Sequence, residues 1–309
     1  MNTLLSQMLA AADPSQVEGL ARFFKTGPGQ YGFGDKFLGI KVPVTRSIVR
    51  ACWKSVGFDA LEECICSEYH EVRLAALLTL VEIFKHDRMR SFVAVAPQDD
   101  RGHSERLSCH SERPSCHSER SEESPRSRCI DFYLSHTEYI NNWDLVDLSC
   151  YPLLGEWLLN ASDRSLLYSL ARDGRTIWEQ RMGIVSTMTF IRHGQLEDTF
   201  AIADILLHHP HDLIHKAVGW LLREAGKRDK AALTDYLRSF VAVSPQDDRG
   251  HAERPSCHSE RPSCHSERPS CHSERSEESL PRYKTMPRTM LRYAIEKFPE
   301  SERQFYLAK

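Results

Sequence analysis

Apolar residues recur along most of the chain with the three-to-four-residue period of an amphipathic helix. This pattern predicts helices at residues 14–24, 72–85, 128–135, 153–160, 165–172, 177–192, 196–208, 213–228, 230–237 and 288–298. Asp13, Asp163, Asp212 and Asp229 stand where helix N-caps belong, and Pro14 fits a first helical position. Apolar and polar residues do not alternate between hairpin dipeptides outside the repeats described below, so no sheet is predicted there.

Short connections between the predicted helices favour a fold in which each helix packs on its neighbours. Antiparallel helix pairs of about 35 to 45 residues are typical of HEAT-like repeats. We therefore predict an all-α fold, a HEAT-like (ARM/HEAT) helical repeat solenoid or α-α superhelix, that forms a single domain over residues 1–309. Because the repeat signal is weak in the sequence, a globular helical bundle is the alternative.

Two low-complexity segments interrupt the helical pattern. Residues 90–126 recur nearly letter for letter at 238–282, with one more PSCHSER unit in the second copy. Since their flanks do not match each other, both segments are predicted to be inserts in connections between helices. The heptad has no aliphatic residue and usually a proline, which excludes a coiled coil and favours a solvated, disordered loop. Its Cys-His dipeptides lack the spacing of a zinc site.

Composition places the chain among soluble globular proteins and excludes a chain that is disordered overall, collagenous or membrane-spanning. The chain has 41% apolar residues and a net charge of −3, so any argument for nucleic acid depends on local clusters of charge. Half of the 10 cysteines lie in the inserts, which indicates unpaired thiols and a reducing cytoplasm. The N-terminus lacks the charged region of a secretory signal, and the longest apolar run, 75–84, is too short to span a membrane.

The segment GPGQYG at residues 27–32 matches a dinucleotide-binding pattern letter by letter. That fingerprint requires a preceding strand, whereas a predicted helix precedes it here. We interpret residues 27–39 as a long loop that lies on the backbone of a partner. Lys36 and Lys41, in and just after this loop, are candidate contacts to DNA.

The segment NNWDLVD at 141–147 places an indole and a carboxylate on one helical face, since Trp143 and Asp147 are four residues apart. Taken alone, this spacing favours a simpler reading, in which the tryptophan belongs to the core and the aspartate serves the helix dipole. Within 177–192, Trp178 and Arg181 form an aromatic-basic pair three residues apart.

A basic stripe with one aromatic residue follows a later predicted helix and consists of Lys216, Trp220, Arg223 and Lys227. Cations beside an exposed aromatic ring suit a phosphate backbone and its sugars, while a solvated face with a half-buried tryptophan is an equal alternative. The candidate residues are one carboxylate, several tryptophans and these basic side chains, and they include no nucleophilic set and no convincing metal site. Such a set can stabilise a positively charged intermediate and orient a water.

At this point the sequence resembles the AlkD-like DNA alkylation repair glycosylases. The similarity covers nearly all of the chain outside the inserts, through the segments 34–43 (GDKFLGIKVP), 139–149 (YINNWDLVDLS), 177–194, 211–229 and 286–299. The resemblance implies a superhelix of HEAT-like repeats whose concave basic face holds duplex DNA. It also implies hydrolysis of the N-glycosidic bond of cationic N3- and N7-alkylated purines, without a metal or other cofactor.

Carried over residue by residue, the resemblance places the catalytic carboxylate on Asp147, its aromatic partners on Trp143 and Trp220, and the supporting arginine on Arg181. The predicted DNA-binding residues are Lys216, Arg223, Lys227, Trp178, Lys36 and Lys41. We thus expect a monomeric cytoplasmic enzyme of base excision repair that acts on double-stranded DNA. The alternative is a non-catalytic HEAT-like scaffold that binds DNA or protein, although a scaffold has no reason to keep the catalytic set together.

Overall fold

The computed structural model describes residues 2–95, 124–242 and 279–308, and this part of the protein is built almost entirely of helices. The predicted all-α class is confirmed. In chain order the helices are α1 (Thr3–Ala10), α2 (Pro14–Phe23), α3 (Val42–Cys52), α4 (Phe58–Ile65), α5 (His70–Val95), α6 (Pro125–Ser135), α7 (Trp143–Cys150), α8 (Glu156–Leu158), α9 (Ser165–Asp173), α10 (Ile177–Val185), α11 (Met188–Arg192), α12 (Glu197–Ile205), α13 (Asp212–Arg228), α14 (Lys230–Arg238), α15 (Arg282–Thr285), α16 (Arg288–Ala294) and α17 (Glu300–Leu307).

Two of the four predicted N-caps, Asp13 and Asp229, are found, whereas the N-cap of α9 is Arg164 rather than Asp163 and α13 also differs. The carboxylates of Asp13, Asp163 and Asp229 accept first-turn backbone N–H bonds at 3.0, 2.8 and 2.9 Å. The predicted N-cap at Asp212 is wrong, because His211 caps α13 through its Nδ1, which accepts a first-turn N–H at 3.1 Å. Asp212 instead occupies the first turn, where its negative charge favours the helix dipole.

Helix lengths differ from the prediction for identifiable reasons. The predicted helix at 177–192 is divided into α10 and α11 at residues 186–187. Helix α7 continues through a π-helical turn (Tyr151–Gly155) into α8, since Pro152 has no N–H to complete the regular pattern. The pattern did not predict α1, α3, α4, α15 or α17.

The described ends of both inserts adopt regular secondary structure. Helix α5 continues through residues 90–95 and α6 begins at Pro125, so both ends of the first insert are helical. In the second copy, β1 (Phe240–Ala242) pairs antiparallel with β2 (Ser279–Pro281). The same three letters, FVA, are thus helical at 92–94 and extended at 240–242, because the local context outweighs intrinsic propensity. The predicted disorder and lack of a metal site in the repeats concern 96–123 and 243–278, outside the described residues.

One hydrophobic cluster connects the helices from Leu4 in α1 to Tyr306 in α17. Helix α10 packs against both α7 and α13, and α13 packs against α14 and α16. Within the described residues, every cysteine is free, and no helix combines the length and apolarity needed to cross a bilayer. The packing of α10 between α7 and α13 determines which side chains meet in the candidate site.

Gly219 allows the close approach of α13 and α16. A Cβ at this position would lie 2.5 Å from the carbonyl oxygen of Met290 and 2.5 Å from the Cβ of Tyr293. We expect Gly219→Ala to lower the free energy of unfolding by about 1–3 kcal/mol, because one helix has to move. Gly19, in α2, has nothing within 4 Å of the same point.

The matched control is therefore Gly19→Ala, which should stabilise α2 by up to about 1 kcal/mol through helix propensity. Urea denaturation of both variants measures the difference. Equal stability of the two variants would show that α13 and α16 tolerate the added carbon.

Candidate functional site

The four predicted catalytic residues line one cavity of about 590 Å³. Trp143 and Asp147 come from α7, Arg181 comes from α10 and Trp220 comes from α13. These residues meet because α10 packs between the other two helices. The remaining lining residues are Phe23, Tyr31, Leu213, Lys216, Arg223 and Tyr293.

A bidentate ion pair joins Asp147 and Arg181. The Nε and Nη2 of Arg181 donate to the two carboxylate oxygens, each at 2.8 Å, and Nη1 donates to the carbonyl oxygen of Leu213 at 2.6 Å. Burial raises the pKa of the Asp147 carboxyl above its usual value, although the charge and hydrogen bonds of Arg181 favour the ionised form. Each carboxylate oxygen keeps a second lone pair, so Asp147 can accept a further hydrogen bond or face a cation while paired.

Trp143 is held in place at the first turn of α7. The side-chain oxygen of Asn142 accepts the backbone N–H of Trp143 at 2.9 Å and caps the helix. The indole stacks on Phe24, with ring centroids 5.6 Å apart, and meets the edge of Phe23 at 5.8 Å. The ring is half-buried and faces the cavity, so the simpler reading of Trp143 as a pure core residue does not hold.

The basic stripe on α13 forms as the spacing predicts, and its opposite face, Ala217, Val218, Leu221 and Leu222, is fully buried. Lys216, Trp220 and Arg223 line the cavity, whereas Lys227 does not. Each cation of the stripe has a carboxylate partner: Lys216 with Asp212 at 2.7 Å, Arg223 with Glu296, and Lys227 with Glu224 at 2.7 Å. The sequence analysis did not pair these acids with the stripe, and a phosphate has to replace them to bind here.

Besides Lys227, three more predicted DNA-binding residues lie outside this cavity. Trp178 is 7% exposed and packs in the core, where its ring meets the edge of Tyr31 at 6.0 Å. A buried ring cannot stack on DNA, so the structure corrects this assignment. Trp178 instead packs against Tyr31, which lines the cavity. Lys36 is exposed and pairs with Glu68 at 2.6 Å, and Lys41 lines a neighbouring cavity.

The neighbouring cavity, of about 460 Å³, is mostly apolar and shares Phe23, Trp143 and Asp147 with the first one. Phe23 is 61% exposed although it closes the last turn of α2. Sequence reasoning missed this residue, because an aromatic ring in an amphipathic helix predicts a core position. The two cavities therefore meet at the exposed ring of Phe23, at Trp143 and at the candidate catalytic carboxylate of Asp147.

Behind Trp143 lies a buried network of charges. The imidazole of His70 is within 3.1 Å of a carboxylate oxygen of Asp35 through Nδ1 and within 2.9 Å of one of Asp144 through Nε2. Arg73 donates to the same Asp35 at 2.7 Å and to the side-chain oxygen of Asn141 at 3.0 Å. Two cations thus face two carboxylates, and the network joins the loop after α2 to α5 and to the start of α7.

The carboxylates keep His70 protonated. Burial alone would lower its pKa, but the hydrogen bonds and charges of Asp144 and Asp35 outweigh burial and raise the pKa to about 9. Burial alone would raise the pKa of Asp35, and the hydrogen bond from His70 with the charge of Arg73 brings it below its usual value. No sequence pattern indicates this network, because its members are distant along the chain.

The glycine-rich loop is anchored by a carboxylate. Glu71, 3% exposed, accepts the backbone N–H groups of Leu38 and Gly39, each at 2.9 Å, and of Ile40 at 3.1 Å. Helix α2 precedes residues 27–32, so the strand that a dinucleotide site requires is absent from this described segment. The interpretation as a loop is confirmed, and its contact with a partner's backbone stays a prediction.

Within the described residues, one group of side chains has the geometry to hold a metal ion. It consists of Glu62, Cys66 and His136, and none of the three lines either cavity. The sequence analysis did not predict this group.

Comparison with known proteins gives a family match and a structural match. A family model described as DNA alkylation repair enzyme matches residues 4–99 and 114–298. A solved structure described as a predicted DNA alkylation repair enzyme from Enterococcus faecalis is 14% identical in sequence. The match covers 76% of this chain and 92% of that one, with a TM-score of 0.48. None of the curated proteins matches the chain.

Proposed function

The chain belongs to the DNA alkylation repair enzyme family, and we propose that it is a DNA glycosylase for cationic N3- and N7-alkylated purines in duplex DNA. The observation that carries this proposal is the single cavity shared by Asp147, Arg181, Trp143 and Trp220. We also propose that the helices stack as HEAT-like repeats in a solenoid, whose concave face holds the duplex.

The reaction needs little more than charge stabilisation and a positioned water. An alkylated purine already carries a positive charge, so it leaves as a neutral base when the C1′–N bond breaks with its electrons. The deoxyribose then develops oxocarbenium-like charge, which the ionised Asp147 stabilises. A water held by Asp147 forms the new C1′–O bond and gives its proton to the carboxylate.

The neighbours of Asp147 have distinct roles in this mechanism. Arg181 keeps the carboxylate ionised and fixes its orientation through the bidentate pair. The electron-rich faces of Trp143 and Trp220 pack on the sugar and favour its positive charge. Lys216 and Arg223 hold backbone phosphates, which replace their present partners, Asp212 and Glu296.

Selectivity follows from the leaving group. We expect release of 7-methylguanine and no detectable release of neutral ethenoadenine from duplexes of matched sequence, because a neutral base is a poor leaving group without an acid to protonate it. Single-turnover assays with free base quantified by chromatography measure both rates. Equal rates for the two adducts would contradict selection by leaving-group ability.

The salt dependence of duplex binding tests the proposed contact between α13 and the phosphate backbone. We expect Lys216→Ala to weaken duplex binding and to reduce the slope of log K against log salt by about 1, because one phosphate contact is lost. Fluorescence anisotropy with an unmodified duplex over a series of salt concentrations measures this slope.

Lys230→Ala is the matched control, since Lys230 also pairs with a carboxylate at 2.7 Å and lies outside the cavity. Its slope should equal that of the wild type. An unchanged slope in Lys216→Ala would show that the stripe on α13 does not contact the backbone.

A further inference from the structure

A carboxylate, a thiol and an imidazole converge where the end of α4 meets the segment that follows α6. The ligand atoms of Glu62, Cys66 and His136 all lie within 4.8 Å of one another, and Nε2 of His136 is 2.9 Å from a carboxylate oxygen of Glu62. Glu62 and Cys66 are four residues apart at the last turn of α4 and therefore share a face. The fold thus brings together side chains from two separate segments.

The ring of His136 is oriented as in a metal-binding histidine. Its Nδ1 lies 2.7 Å from the carbonyl oxygen of Phe132. A carbonyl oxygen can only accept, so Nδ1 carries a proton and donates it, which leaves Nε2 as the atom that faces Glu62 and Cys66. Metal-binding histidines typically donate their other ring N–H to a carbonyl or carboxylate in this way. Stacking on the Phe132 ring, with centroids 4.3 Å apart, further fixes the orientation.

The surroundings of the thiol also favour a cation. The Tyr139 hydroxyl hydrogen-bonds to Cys66, and the negative charges of Glu138 and Glu62 act on that hydroxyl as well. A bound divalent ion would offset the negative charge of these carboxylates and that of the Cys66 sulfur once binding has displaced its proton. The 2.9 Å contact between Nε2 of His136 and a carboxylate oxygen of Glu62 requires a shared proton in the metal-free protein, and a bound cation would take the place of that proton.

We propose that Glu62, Cys66 and His136 bind a divalent transition-metal ion of the zinc class, with a water as fourth ligand. Sulfur, imidazole nitrogen and carboxylate oxygen are the donors that Zn²⁺ takes in proteins, and four-coordinate geometry is usual. Binding displaces the proton between His136 and Glu62 and the proton of the Cys66 thiol. The ion then joins α4 to the segment after α6, and the site is independent of base excision.

The test is Zn²⁺ binding to the full-length protein after removal of metal with a chelator. Competition with a chromophoric chelator gives both the number of equivalents and the affinity. The inserts contain further cysteines and histidines, so the result is the difference between wild type and variants. We expect wild type to hold one Zn²⁺ more than Cys66→Ser or His136→Gln, and Zn²⁺ to raise the Tm of wild type but not of these two variants.

Two further variants make the result decisive. Cys116→Ser removes a thiol from the first insert and should keep the additional equivalent. Glu62→Gln changes a side chain that is 55% exposed, so it should fold normally and still bind Zn²⁺ more weakly than wild type. The proposal is overturned if wild type and the variants at Glu62, Cys66 and His136 bind equally, or if wild type binds no Zn²⁺ beyond what its inserts hold.

Discussion

Asp147→Asn is expected to abolish base release while duplex binding persists. Asparagine keeps the shape of the side chain and loses the negative charge that the developing sugar cation requires. We expect the rate of 7-methylguanine release to fall by a factor of about 100 to 1000 or more, the range seen when one group that stabilises a transition state electrostatically is removed. Single-turnover release and duplex affinity are measured on the same preparation.

Two controls separate this effect from misfolding. Asp131→Asn makes the same chemical change at an exposed position of α6 and should keep full activity. Because Asp147→Asn leaves the buried guanidinium of Arg181 without its carboxylate, some loss of stability is expected, and retained duplex binding shows that the fold persists. Full activity of Asp147→Asn would mean that another group supplies the charge.

His70→Gln is expected to be among the most destabilising polar substitutions in this protein. It removes one of the two cations that face the buried carboxylates of Asp35 and Asp144. Loss of one partner from a buried ion pair typically costs about 3–5 kcal/mol. Urea denaturation gives the free energy of unfolding, and His208→Gln, at an exposed position, is a control that should remain near wild type.

His70 also makes the unfolding free energy of the wild type depend on pH. Its pKa is about 9 in the folded protein against an ordinary value of 6.5. The stabilisation, about 3 kcal/mol by linkage, is therefore complete below pH 6.5 and is lost as pH rises to about 9. We expect this decline in the unfolding free energy of wild type and a flatter profile in His70→Gln. Parallel profiles would show that His70 is not the titrating group.

The sequence predicted the helical class and the residues of the candidate site better than it predicted how those residues are arranged. The four-residue spacing of Trp143 and Asp147 was sufficient to place both on one face, and the stripe of α13 formed with its apolar side buried. The position of Arg181 beside Asp147 came from family resemblance, because no periodic pattern relates α7 to α10. Spacing within a helix determines a face, whereas contacts between helices depend on packing.

The predictions that were wrong or missing also concern contacts between elements that are distant in sequence. The pairing of Trp178 with Arg181 suggested a shared surface, yet Arg181 turns to Asp147 and Trp178 enters the core. The ion pairs between His70 and its carboxylates connect α5 to a loop and to α7, so no local motif could indicate them. The identical letters at the start of both inserts become helix or strand according to what precedes and follows them.

The most direct test of the proposed function is release of free 7-methylguanine from a methylated duplex by the wild-type protein with EDTA present. Duplex affinity is measured under the same conditions. The mechanism predicts release well above the spontaneous depurination rate, with no requirement for a divalent ion. Tight duplex binding without release would contradict it, and the chain would then be a non-catalytic scaffold that binds DNA.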